Sequence, residues 1–108
     1  NKDQRKQLIS ALENSDKQIV DISFEEMNNF AGNMLFLKNR KNETFWICST
    51  KAYSSLTSKN RSILEGETTF IHSDLSTIES YGGGGARCLL AEVFNNSSLP
   101  DLRKEYQA

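Results

Sequence analysis

Cys88 has the strongest claim to chemistry in this chain. It stands just beyond four consecutive glycines, in the run Gly82-Gly83-Gly84-Gly85-Ala86-Arg87-Cys88-Leu89-Leu90-Ala91-Glu92-Val93-Phe94. Glycine in regular structure costs up to about 1 kcal/mol against alanine. A run of four therefore marks a backbone that needs positive φ, or one that another group approaches closely. A thiol delivered by such a loop is partly exposed. Arg87 and the loop amides beside it favour the thiolate, which is the nucleophile that covalent catalysis requires. A plainer reading uses the same residues: a flexible loop, followed by a cysteine that fills the core of an apolar strand. A phosphate-binding loop does not fit, because no Gly-Lys-Ser/Thr follows the glycines and no helix is expected after them.

The other candidates are weaker. Cys48 lies in Phe45-Trp46-Ile47-Cys48 and reads as a small buried hydrophobe. Two unpaired thiols, with no Cys-x-x-Cys, suit a cytoplasmic protein better than a disulfide framework. His72 is the single histidine. It reads as a structural residue at a strand end. Glu79 reads as a helix cap. Glu92, four residues past Cys88 on an expected strand, would share its face and pair with a basic group or flank the site. Trp46 and the phenylalanines read as core. Lys38, Arg40 and Lys41 form a solvated hairpin tip. No residues have metal-ligand spacing.

The elements that must position Cys88 follow from periodicity. Asp3 to Glu13 is expected to be helical, with Leu8, Ile9 and Leu12 on one face. Ile19, Val20 and Ile22 read as a short buried strand. Ser23 with Glu26 is a capping box; its helix should run to Phe30 or Ala31 and stop at Gly32. Asn33–Lys38 and Thr44–Ser49 read as a hairpin. One helix, or two helical turns, should cover Lys51 to Glu65, stopped by Gly66. Thr68 to Ile71 reads as a strand. Ser76 with Glu79 repeats the capping-box pattern, and Arg87 to Phe94 reads as a strand. The mixed order argues an α/β or α+β fold, with a compact ββαβ unit from Asn33 to Ile71 that leaves sheet edges uncovered.

Composition sets the bounds. The chain has 108 residues, the size of one domain, with net charge -1. That balance does not suit a nucleic-acid binder. No apolar run approaches the roughly 18 residues of a membrane span. Hydrophobic residues make up 37%, a lean core for a chain this short. The first residue is Asn1 rather than Met, which suits a processed or excised piece.

The glycine-Arg-Cys block resembles the C-terminal end of the guanidine-modifying enzymes of the pentein (amidinotransferase) superfamily. It is most similar to dimethylarginine dimethylaminohydrolase-like amidinotransferases and to bacterial citrulline-utilisation hydrolases and arginine deiminase-related proteins. The matching residues are Phe30-Ala31-Gly32-Asn33-Met34-Leu35, Ile78-Glu79-Ser80-Tyr81-Gly82-Gly83-Gly84 and Ala86-Arg87-Cys88-Leu89-Leu90-Ala91-Glu92-Val93-Phe94, with Ser49 and Ala52 fitting between them. The similarity runs from about Asp16 to Phe94. Gly85 stands where that pattern has Ser, and Leu89 where it commonly has Met.

The resemblance implies a five-bladed α/β propeller built of ββαβ modules. Residues 1–32 would end one module, 33–95 would form the last, and 96–108 would be a polar tail. It implies Cys88 as nucleophile on a guanidinium or ureido carbon, and Asn33, Gly83, Gly84 and Arg87 as substrate-binding positions. It implies no cofactor. The partner would be a small arginine-like compound, neither nucleic acid nor membrane. The catalytic histidine and the guanidinium-binding carboxylates would lie in other modules, so this piece alone should be inactive. Those modules, or a second copy of the chain, would cover its flanks. The alternative is a small non-catalytic α/β binding module that uses its sheet edge or glycine loop.

Overall fold

The computed structural model describes residues 1–66 and 68–92. Its centre is a three-stranded sheet of β1 (Leu35–Lys38), β2 (Thr44–Ser49) and β3 (Thr69–Ser73), in that order. β1 and β2 form the expected antiparallel hairpin, with Leu35 opposite Ile47 and Lys38 opposite Thr44. Asn39 closes its turn: Oδ1 accepts the amides of Lys41 and Glu43, a side-chain substitute for backbone pairing. β3 returns parallel to β2, with Cys48 opposite His72. A parallel return needs a crossover connection, and helices α3 (Thr50–Ser55) and α4 (Ser58–Glu65) supply it. The ββαβ unit is thus present, and the chain is a mixed α/β fold.

The crossover is two helices because Thr57 interrupts it. Leu56 is extended, and the Thr57 side chain accepts the Asn60 amide as an N-cap. Ser49 caps α3 in the same way through the Ala52 amide at 3.0 Å. Ahead of the sheet, α1 (Lys2–Glu13) forms as expected but buries none of its residues. Ile19, Val20 and Ile22 are half-buried but join no strand, a departure from expectation: they contribute apolar contacts without pairing to the three-stranded sheet.

The capping box of Ser23 and Glu26 is complete at the start of α2 (Phe24–Asn28). Its helix ends sooner than expected, and not at Gly32. Phe30 takes the left-handed turn itself, at φ 67°, and the Asn33 amide bonds back to its carbonyl at 2.9 Å. The second expected box does not form. Ser76 is already inside α5 (Ser76–Gly82), and its amide bonds to Asp74, whose carboxylate the Ser76 hydroxyl and amide hold below its usual range. Glu79 is instead buried, with both carboxylate oxygens unpaired among the described residues.

The expected strand from Arg87 is also corrected. Ala86–Leu89 is a short helix, α6, closed by the Cys88 amide on the Gly85 carbonyl at 3.1 Å. Leu90 to Glu92 join no strand, Glu92 is exposed, and Val93, Phe94 and the 96–108 tail lie outside the described residues.

The core is lean, as the composition implies. Ala31, Met34, Cys48, Ala52 and Leu56 are buried together, with Phe30, Trp46, Tyr53, Leu64 and Phe70 packed around them. Phe36 meets Trp46 edge-to-face at 5.0 Å, and the Trp46 indole donates to the Leu64 carbonyl.

A polar brace stands beside these small residues. The Glu26 carboxylate, 2% exposed, accepts the Ser23 amide, the Thr57 amide and the Asn60 side-chain amide. The two backbone amides, that of Ser23 first, draw its carboxyl down to about 2. A depressed folded-state value means that the charged form stabilises the fold. That stability is fully present above the ordinary value of 4.5 and is lost as pH falls through about 2. Glu26→Ala leaves these buried donors unpaired and should cost roughly 2–4 kcal/mol at neutral pH, measured by chemical denaturation. The gap between wild type and Glu26→Gln should narrow as the pH of the titration drops from 4.5 towards 2. A gap that stays constant across that window would show that the brace does not depend on charge.

Candidate active site

The glycine loop joins α5 to α6, and each of its inner glycines has a local reason. Gly83 ends α5 with φ at 69°, its amide bonded to the Glu79 carbonyl, a left-handed cap that suits glycine. At Gly84 the constraint is space. A Cβ there would lie 3.0 Å from both Cβ and Sγ of Cys88. The close approach that the glycine run predicts is therefore made, within the chain, by the thiol.

Cys88 is exposed on α6 and unbridged. Asn33, 55 positions earlier, meets it. The Asn33 Nδ2 donates to Cys88 Sγ at 3.2 Å, while its Oδ1 accepts the Gly85 amide at 3.1 Å. The Asn33 carbonyl accepts the Arg87 amide at 3.4 Å. Arg87 in turn donates from its guanidinium to the Met34 carbonyl at 3.2 Å. Four of the five residues singled out in the sequence, Asn33, Gly84, Arg87 and Cys88, thus form one linked cluster. Gly83 lies at its edge, with open space where a Cβ would point.

Two thiols in one small chain provide an internal contrast. Cys48 is 2% exposed, and burial pushes its thiol up to about 11. That is the inert cysteine of a core. Cys88 has solvent access and an amide donor on its sulfur.

His72 is engaged elsewhere. Its Nδ1 lies 3.0 Å from the Thr50 hydroxyl, and its ring stacks on Tyr53 at 4.4 Å. Arg61 covers the same Tyr53 ring at 4.4 Å. This agrees with the structural reading of the histidine. Among the described residues no group of three or more His, Cys, Asp or Glu could hold a metal ion. None of their helices is long and apolar enough to cross a membrane.

A family model described as eukaryotic N,N-dimethylarginine dimethylhydrolase matches residues 1–95. The chain belongs to this family. The pentein resemblance carried by the Asn33 and Gly82–Cys88 blocks is thereby placed within a group of guanidine-modifying hydrolases. No curated protein and no solved structure matches the chain.

Sequence reasoning missed the way Asn33 meets the thiol, because no local pattern encodes a contact across 55 positions. It also took Glu26 for a simple cap, where the buried carboxylate reaches α3–α4 as well. Its presence in a capping box gave no hint of Thr57 and Asn60.

Two outcomes test the geometry. Cys88 should react with iodoacetamide well before Cys48 in the folded protein, read by peptide mass; equal rates would argue against an accessible, activated thiol. Gly84→Ala should displace the sulfur and change the Cys88 alkylation rate severalfold while leaving Cys48 slow.

Proposed function

We propose that the full-length protein containing this chain is a cysteine-dependent hydrolase of a guanidino or ureido compound, with Cys88 as nucleophile. The observation that carries this reading is the exposed Cys88 sulfur, seated against Gly84 and met by the Asn33 amide, in a chain of the dimethylarginine dimethylhydrolase family. In the proposed reaction the thiolate attacks the guanidinium carbon. The tetrahedral adduct expels ammonia or an amine after a proton reaches the leaving nitrogen, which leaves a thiouronium on Cys88. Water adds to that carbon, the carbon–sulfur bond breaks, and the product departs with a ureido oxygen from the water. If an amine takes the place of water, the same intermediate gives amidino transfer.

This chemistry needs an acid–base group and carboxylates that hold the cationic substrate. The only histidine here is spent on Thr50 and Tyr53. We therefore assign those groups to other modules of a five-bladed propeller, with 33–95 as its last module and 1–32 as the end of the one before. The 108-residue chain by itself should be inactive. Asn33, Gly83, Gly84 and Arg87 would line the substrate side of Cys88. Arg87 repels a guanidinium, so any direct contact would be with a substrate carboxylate. A cytoplasmic location belongs to the same reading, since it keeps the thiols reduced.

A second reading is a non-catalytic binding module. The specific observation in its favour is that β1 and β3 each have one edge unpaired among the described residues, and Phe36 and Ile71 on them are exposed. The two readings diverge under one substitution. Full-length protein should release ammonia or an amine from dimethylarginine, arginine, citrulline or agmatine, and Cys88→Ser should abolish that release. Turnover that survives Cys88→Ser would overturn the nucleophile assignment.

A further inference from the structure

We propose that Asn33 is the positioning residue of the nucleophile: its side-chain amide, anchored by the Gly85 N–H, donates to the Cys88 sulfur and stabilises the thiolate. The inference rests on the reading of Cys88 as nucleophile. It goes further by giving Asn33 a task on the sulfur, where the family resemblance implied only a place at the substrate rim.

The two ends of the Asn33 side-chain amide have different partners. Gly85 N–H is a donor, so the Asn33 atom 3.1 Å from it must be the acceptor Oδ1. That fixes which way the side chain points and leaves Nδ2, a donor only, 3.2 Å from Sγ. The backbone amide thus determines what the sulfur meets. A donor favours the charged form of its acceptor, because bonds to an ionised partner are about twice as strong as neutral ones. An asparagine amide neither gains nor loses a proton near neutral pH, so the donor is present in every protonation state of the site.

The clamp is braced on both sides. The Asn33 backbone carbonyl takes the Arg87 amide at 3.4 Å, and the Arg87 side chain takes the next carbonyl, that of Met34, at 3.2 Å. Upstream, the Asn33 amide is bonded to the Phe30 carbonyl. Gly85 fits this arrangement too. It is buried, and a Cβ there would come within 3.1 Å of Asn33 Oδ1, so a serine at this position would press on the amide that holds the sulfur.

A residue that only braces the loop would act on stability. A residue that acts on the sulfur must also change the pH dependence of its reactivity. The test is iodoacetamide alkylation of Cys88 as a function of pH in the full-length protein, with peptide mass as readout, Cys48 as internal control and thermal unfolding followed in parallel. Asn33→Asp keeps the shape and the acceptor for Gly85 but sets a carboxylate oxygen against the sulfur. Its profile should move to higher pH by about one unit, a roughly tenfold slower reaction at neutral pH. Asn33→Ala should move it in the same direction by less. In turnover, both variants should lose kcat with KM little changed, whereas a pure substrate-rim residue would raise KM.

Profiles that superimpose on wild type in folded Asn33→Asp and Asn33→Ala would overturn the proposal. If neither variant folds, Gly85→Ala disturbs the bond that anchors the Asn33 amide, since its Cβ would press on Oδ1: an upward shift supports the clamp, and an unchanged profile overturns it. A shifted profile in a protein that turns over no guanidino compound would sink the hydrolase reading and leave the clamp standing. An unshifted profile with normal Cys88-dependent turnover would do the reverse.

Discussion

The buried carboxylate of Glu26 is the constraint on which the rest of this small fold depends. It collects the free amide at the start of α2, the amide that breaks the crossover at Thr57, and the side chain of Asn60 on α4. Each donor would otherwise be costly to bury. By meeting all three, one side chain fixes α2 against the α3–α4 junction. The segment leaving α2 then has a defined starting point, and it reaches Asn33 in five residues after Asn28. The amide that meets the Cys88 sulfur is therefore held, through a short stretch of chain, by a carboxylate on the preceding helix.

This arrangement suits a chain with so lean a core. Ala31, Cys48 and Ala52 are small, and their burial removes little apolar surface from water. Larger side chains such as Phe24 and Tyr81 stand exposed. Order in such a structure comes from polar caps at each turn of direction: Ser23, Asn39, Ser49 and Thr57 each satisfy a backbone amide where an element begins or a strand reverses. These bonds are directional where apolar contacts are not, so they fix where each element starts.

What could be read from the sequence was what is local. The box of Ser23 and Glu26, the hairpin around Asn39 and the glycine loop that presents Cys88 all depend on residues a few positions apart, and all are present in the structure. Ser76 and Glu79 have the same spacing as Ser23 and Glu26 and the same residue types, yet Asp74 reaches the Ser76 amide first and Glu79 turns inward. The apolar run after Arg87 looked like a strand because periodicity registers hydrophobicity, not the presence of a neighbour to pair with. The Arg87 amide finds the Asn33 carbonyl instead, and a helical turn forms. The joining of Asn33 to Cys88 lay beyond any local pattern, and only the resemblance of two separated blocks to one family hinted that they belong together.

Phe30 adopts a left-handed backbone that would suit glycine, although Gly32 lies only two residues further on. For a bulky residue that conformation costs about 1–2 kcal/mol. Its ring packs against the core, so the aromatic contact and the strained backbone belong to the same residue. The strain sits three positions before the amide that holds the sulfur. A glycine at this point would relax the turn and also loosen it. The chain thus concedes some thermodynamic stability to keep a rigid bend three residues before Asn33, and a substitution chosen only to stabilise this position would give up that rigidity.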